Sequence, residues 1–132
     1  MPLLPIRLAP GADLRRALES LDHAQSSGSA FVVAGIGSLV AGSIRFAGVT
    51  AEEQLAGPLE ILSLSGSLAA SGAHLHIAVS DAAGRVFGGH LGYGNIVRTT
   101  AEILLAPLPA WSLTREHDVA TGYKELMVRR RI

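Results

Sequence analysis

The stretch from Ala73 to Leu91 constrains this chain most, because the residues of its loop fix a strand register before any other contact is considered. Two runs, Ala73-His74-Leu75-His76-Ile77-Ala78-Val79 and Phe87-Gly88-Gly89-His90-Leu91, flank Asp81-Ala82-Ala83-Gly84-Arg85. Those linking residues suit a three-residue hairpin loop: Asp81 opens the turn, Ala82 and Ala83 are central, and Gly84 takes the left-handed conformation of a bulge. Asp81 then faces Arg85. Carried outward, the pairing sets Val79 opposite Phe87, Ile77 opposite Gly89 and Leu75 opposite Leu91, an apolar set on one face because side chains alternate along a strand. The other face receives His74, His76 and, directly across from His76, His90. A one-residue slip would put His90 beside Leu75 and mix the two faces.

Positions two apart on a strand are separated by roughly 6.5 Å and opposed positions by about 4.5 to 5.5 Å, so three imidazoles can converge on one ion. A His-x-His pair alone is common on a solvated strand face. A third histidine, aligned by a register derived without it, makes His74, His76 and His90 a candidate metal-ligand set. Neutral imidazole suits zinc, copper, nickel and iron. Three nitrogens with a fourth position left for water is a frequent zinc arrangement, so Zn²⁺ is the ion expected. Gly88 and Gly89 add to this, since glycine inside a strand marks a bulge or a closely approaching group. His117, among Arg115, Glu116 and Asp118, reads as exposed, and His23 as an exposed or dipole-complementing residue near the end of a helix.

At 132 residues the chain is long enough for one domain with a real core and short for two. Hydrophobic content of 48% against 17% charge suggests a heavily buried protein, one that could also bury surface in an oligomer. With no cysteine, disulfides and thiolate metal sites are excluded. The first residues lack the charged region and long apolar run of a signal peptide, and no apolar stretch would span a bilayer; a cytoplasmic protein is expected. A formal net charge of zero argues against nucleic-acid binding through bulk electrostatics, and Arg129-Arg130-Arg131 reads as a solvated basic tail.

Along the chain, Ile6-Arg7-Leu8 suggests a short first strand. Asp13 can cap a helix that carries Leu14, Ala17, Leu18 and Leu21 on one stripe and ends near Ser26-Ser27-Gly28. Phe31 to Val40 reads as a strand apolar on both faces and so buried on both, with Ala41-Gly42 turning the chain into Ser43-Ile44-Arg45-Phe46. Val49 to Gly57 reads as a connection with a possible helical turn, and Pro58 to Leu68 as the next strand, with Glu60 sharing a face with Leu62 and Leu64. After the hairpin comes a long strand from Asn95 to Ala106, with Arg98 and Glu102 four residues apart on one face. Trp111 follows in a segment suited to covering an edge or a pocket. Ser112 to Asp118 and Gly122 to Arg129 read as two closing strands. There are no repeats and no linker long enough to divide the chain.

With these residues in hand, the chain resembles the plants-and-prokaryotes conserved (PPC) domain family, which in plants is attached to AT-hook motifs. The similarity runs end to end. It is carried by Arg7-Leu8, Pro10-Gly11-Ala12-Asp13-Leu14, Gly35-Ile36-Gly37-Ser38 and Leu59 to Gly66, and above all by His74-Leu75-His76, Asp81, Gly84 and Gly88-Gly89-His90-Leu91. Thr100-Ala101-Glu102 and Thr121 to Leu126 also fit. The resemblance implies an α+β fold over residues 1–132: a compact single domain with a largely antiparallel twisted sheet packed on one main N-terminal helix, assembled as a homotrimer. It also implies a metal, zinc in the first place, on His74, His76 and His90. Family members are commonly described as DNA-binding, a description that descends from the plant architecture in which the AT-hook touches DNA. This chain has no Arg-Gly-Arg-Pro core, and a DNA role would need a basic patch assembled across the trimer.

Two functional classes follow. The site is structural, or receives a small ligand or protein partner; or it is catalytic, since zinc on three histidines lowers the pKa of bound water to ~7 and polarises a carbonyl or phosphoryl group, as a hydrolase or lyase requires. The catalytic class needs a base or transition-state stabiliser near the open position. Glu60, Glu102 and Arg98 are candidates by residue type.

Overall fold

The computed structural model describes residues 3–24 and 28–132. In chain order the elements are β1 (Leu4–Leu8), α1 (Leu14–Ala24), β2 (Ala30–Arg45), β3 (Glu53–Ala69), β4 (Gly72–Ser80), β5 (Val86–Leu91), β6 (Val97–Pro107), β7 (Trp111–His117) and β8 (Lys124–Arg130). The main sheet has the order β1-β6-β2-β3-β4-β5, and every pairing in it is antiparallel.

Length decides its shape. With 16 and 17 residues, β2 and β3 outrun their partners, so β2 pairs β6 along its first half and β5 at Ile44 and Arg45. The sheet therefore curls until β5 closes back on β2, and irregularities near Ala34, Ser38 and Val40 supply the bend. The inward faces bury a single cluster that includes Val32, Leu39, Ile44, Leu59, Leu64, Val79, Val97 and Leu105. α1 closes one end with Leu14 and Leu18, each 0% exposed, and burying each contributes about 1.5 to 3 kcal/mol. Its start is as expected: Asp13 Oδ1 accepts the Arg16 amide at 3.2 Å, a cap worth about 1 kcal/mol. The helix is described as far as Ala24; the expected end at Ser26-Ser27 and the His23 side chain lie outside the described residues.

Four expectations are corrected. The 31–40 run is not buried on both faces: Val33, Ile36 and Val40 are 51%, 53% and 53% exposed, because the sheet curls around a core on its inner side only. Ala41-Gly42 is no turn. β2 runs through it, shifting its pairing with β3 there. The connection expected over Val49 to Gly57 is half strand, since β3 begins at Glu53 and takes its ladder from Ile44 and neighbours on β2. Glu60 does share an exposed face with Leu62, but an irregularity between Ile61 and Ser63 turns Leu64 into the core.

β7 and β8 form a separate two-stranded hairpin. It is tied to the main sheet where Ser29 Oγ accepts the Leu113 amide at 2.9 Å and Arg115 donates to Ser67 Oγ at 2.7 Å. The three arginines are exposed, as expected of a solvated run, but β8 carries Arg129 and Arg130 and each of the three has a partner within the chain. Arg129 pairs with Glu116, Arg130 lies over the Trp111 ring at 4.9 Å, and Arg131 donates to the Trp111 carbonyl at 3.1 Å. Among the described residues no helix is long and apolar enough to cross a membrane.

Candidate metal centre

The hairpin forms as its loop chemistry dictates. Gly84 has φ +78 and donates its amide to the Asp81 carbonyl, while Asp81 Oδ1 accepts the amides of Ala83 and Arg85, both at 2.9 Å. The Arg85 guanidinium closes the loop on Asp81 Oδ2 at 2.8 Å. These contacts hold the Asp81 carboxyl below its ordinary pKa, with the Arg85 amide bond the largest of them, against the opposing effect of its surroundings. The register that follows pairs Val79 with Phe87, Ile77 with Gly89 and His76 with His90. β5 is also approached from its other side: a side chain at Gly89 would collide with the Arg45 carbonyl, the close approach that the glycine pair suggested.

His74, His76 and His90 meet on one face. Their ring centroids are 5.1, 5.2 and 4.7 Å apart, the His74 and His90 rings nearly parallel and His76 edge-on to both. One nitrogen from each lies within 4.8 Å of the others. Tetrahedral zinc would hold its nitrogens about 3.3 Å apart, a contraction within reach of side-chain rotation. Among the described residues His90 Nδ1 is buried without a well-formed hydrogen bond. Burial, the Arg115 guanidinium and the neighbouring imidazoles push the His74 pKa down, against the Glu125 carboxylate. Burial, Arg45 and His76 lower that of His90, against its contact with the Arg45 backbone. Both shifts favour the neutral imidazole, the form that binds a metal. An all-imidazole donor set with no carboxylate or thiolate fits a divalent transition metal.

The helix holds the strand ends that carry these histidines. Arg15 donates to the Leu91 carbonyl at 3.1 Å and the Ala73 carbonyl at 3.4 Å, while Glu19 Oε2 accepts the Ala73 amide at 3.1 Å. Ala73 precedes His74 and Leu91 follows His90, so one turn of α1 fixes both flanks. Tyr93 donates to Glu19 Oε1 at 2.7 Å, which raises its own pKa, and its ring lies under Arg15 and Arg16. From below, the buried Asn95 ties β2 to the end of β5, accepting the Ser43 amide and donating to the Ser43 and Gly92 carbonyls.

His74 and His90 open into a cleft of about 870 Å³ whose charged walls are Arg15, Arg45, Glu52, Arg115, Lys124 and Glu125. Glu60, Arg98 and Glu102 do not line it. Glu60 pairs with Ser80 at the far end of β4, and Arg98 and Glu102 stand exposed on β6, which is not a neighbour of β4 or β5. Sequence reasoning missed Arg45, Arg115 and Glu125, which come from β2, β7 and β8; no local spacing relates them to the histidines, and only the curl of the sheet and the hairpin's docking do.

A curled antiparallel sheet closed by one helix, with three imidazoles gathered on a hairpin, defines the class of protein. The model of the Plants and Prokaryotes Conserved (PCC) domain matches residues 2–109, and the chain belongs to that family. It is 45% identical over 128 residues to the bifunctional protein GlmU of Synechococcus sp. (strain JA-2-3B'a(2-13)), a match that covers 97% of this chain and 20% of that protein. The chain thus spans about a fifth of the length of this curated relative. Among solved structures, a hypothetical protein from Salmonella cholerae-suis superposes with a TM-score of 0.95 at 36% identity, covering 99% of this chain and 95% of that one. A metal-containing protein from Archaeoglobus fulgidus superposes with a TM-score of 0.81 at 26% identity, covering 96% and 94%.

Proposed function

We propose that this PPC-domain protein is a homotrimeric metal-binding module that holds a divalent transition metal, zinc in the first place, on His74, His76 and His90. The single observation that carries this reading is the convergence of three imidazole nitrogens within 4.8 Å on a rigid hairpin. The metal-containing relative from Archaeoglobus fulgidus supports it. The trimer rests on the outer face of β2 and β3, where Phe31, Val33, Ile36, Val40 and Leu62 are all exposed; an apolar patch of this kind is the usual mark of a covered surface. The absence of cysteine suits a reducing, cytoplasmic setting.

The test is metal content. Purified wild type is expected to carry one metal per chain, and His76→Ala to lose it while keeping its circular dichroism. Equal metal in both proteins removes the ligand set. A catalytic reading, with the metal activating water for a hydrolase or lyase, is favoured by one feature: Glu125 lies close enough for its charge to act on His74, and would supply the base that Glu60 and Glu102 are too remote to be. For contact with DNA the C-terminal arginines offer less than their number, since Arg129 is paired with Glu116, while Arg130 on the Trp111 ring and Arg131 on the Trp111 carbonyl keep their charge.

A further inference from the structure

The structure assigns a ligand chemistry to the cleft beside the three histidines: we infer that it takes a small oxyanion, a carboxylate or phosphate group, held between Arg45 and Arg115 next to the metal that the histidines would bind. The inference rests on the metal reading above and adds the class of molecule that the site receives.

Register places the two guanidiniums on opposite flanks of the imidazole cluster. Arg45 on β2 is the direct cross-strand partner of His90. Arg115 on β7 donates to Ser67 Oγ at 2.7 Å, and Ser67, 4% exposed, is the cross-strand partner of His74. Each arginine is thus anchored one strand away from a different ligand histidine. Both arginines line the cleft into which His74 and His90 open.

Among the described residues neither guanidinium is consumed by a carboxylate. Arg45 has the Val49 carbonyl at 3.2 Å and Arg115 the Ser67 hydroxyl, both neutral acceptors that position the group and leave its charge intact. Arg15 and Lys124 line the same cleft, so four cationic side chains face two carboxylates, Glu52 and Glu125. Glu52 accepts a hydrogen bond from the neutral Ser43 hydroxyl at 2.6 Å and keeps its charge, and Arg15 is paired with Glu19 at 3.5 Å, which leaves Arg45, Arg115 and Lys124 against Glu52 and Glu125. A divalent ion held by His74, His76 and His90 would add two further positive charges, with no anionic side chain in that donor set. The sum is a wall that favours an anion, and the planar fork of arginine matches a carboxylate or phosphate. A cationic or neutral ligand would leave these charges unmatched. The cleft, about 870 Å³, is of the size that small-molecule sites occupy. Arg115, Lys124 and Glu125 sit on the β7–β8 hairpin, beyond residues 2–109 that the family model matches, so this half of the clamp belongs to the closing hairpin rather than to the matched segment.

The experiment loads the full-length protein with Co²⁺, measures metal per chain first, and then titrates inorganic phosphate in one arm and malonate in the other, by calorimetry and by the cobalt visible spectrum. At least one anion is expected to bind and to change the spectrum. Arg45→Ala and Arg115→Ala should each weaken it about tenfold to a hundredfold, the usual loss for a hydrogen bond to a charged group, with metal per chain unchanged. Arg115→Lys, which keeps the charge and packing but not the fork, should fall between. The tighter arm tells a phosphate from a carboxylate ligand. Metal-loaded wild type that binds neither anion, or variants that bind as well as wild type, overturn the inference and leave the metal reading intact. Wild type that takes up no cobalt overturns both, and is seen before any anion is added.

Discussion

Replacing Gly66 by alanine tests the link between sheet packing and the metal centre. Gly66 lies on β3 opposite Leu75, between Ser65, which faces His76, and Ser67, which faces His74. Its φ is +148, a conformation that side chains rarely adopt, and an added Cβ would lie 2.8 Å from Leu75 Cα and 3.0 Å from the His74 carbonyl carbon, closer still to that carbonyl's oxygen. These are backbone atoms and cannot rotate aside. Carbon atoms rest about 3.5 to 4.0 Å apart, so β4 must retreat by roughly an ångström at the residues that carry two imidazoles. Overpacking of this kind costs about 1 to 3 kcal/mol, and backbone strain at a position that only glycine adopts freely adds about 1 to 3 more. The expected loss is about 2 to 6 kcal/mol, a large part of the 5 to 15 typical of a domain. Metal–ligand distances tolerate about 0.2 Å, so metal affinity should fall at least about tenfold. Urea unfolding of the metal-free protein and zinc competition against a chromogenic chelator measure the two effects. Gly84→Ala is the control: its φ of +78 is also positive, but nothing lies within 4 Å of the added Cβ. It should cost only about 1 kcal/mol and leave the metal in place. A Gly66→Ala protein within about 0.5 kcal/mol of wild type and with unchanged zinc affinity would refute the argument.

Two further outcomes follow from other parts of the molecule. Hydrogen bonds from Arg129 and Thr114 hold the exposed Glu116 carboxyl at a pKa of about 2. A depressed carboxylate stabilises the fold above its ordinary value of 4.5 and loses that contribution as the pH falls toward 2. Fluorescence of Trp111, the chain's one tryptophan and the partner of Arg130 at the start of this hairpin, should therefore report a transition over that range. Glu116→Gln should remove it, and an unchanged titration would show that the ion pair does not hold the hairpin. On the outer sheet face, Ile36→Asp should convert a particle of three times 13.7 kDa into one of 13.7 kDa by light scattering. A mass of 13.7 kDa for wild type ends the trimer proposal.

Much of the centre was legible because hairpin register is a local property. Asp81, Gly84 and the alternation of Leu75, Ile77 and Val79 contain the information that aligns His76 with His90, and a helix cap at Asp13 is equally local. Where readings failed, the cause was long-range. Nothing within Phe31 to Val40 tells a strand buried on both faces from one that curls around a core and exposes Val33 and Ile36 on its outside. Nothing in Ala41-Gly42 or Glu53 to Gly57 announces that two strands continue, because their ladders are supplied by each other.

The histidine triad and the family were thus determined by the sequence, through turn chemistry and two-residue periodicity acting over fewer than about twenty residues. Its surroundings were decided by tertiary structure alone. Arg15 reaches the flanks of the triad from a helix, Arg45 from the closure of β5 on β2, and Arg115 and Glu125 from a hairpin docked through Ser29 and Ser67. Those contacts join residues dozens of positions apart, whose meeting depends on the curvature of the whole sheet and leaves no periodic trace in any one segment.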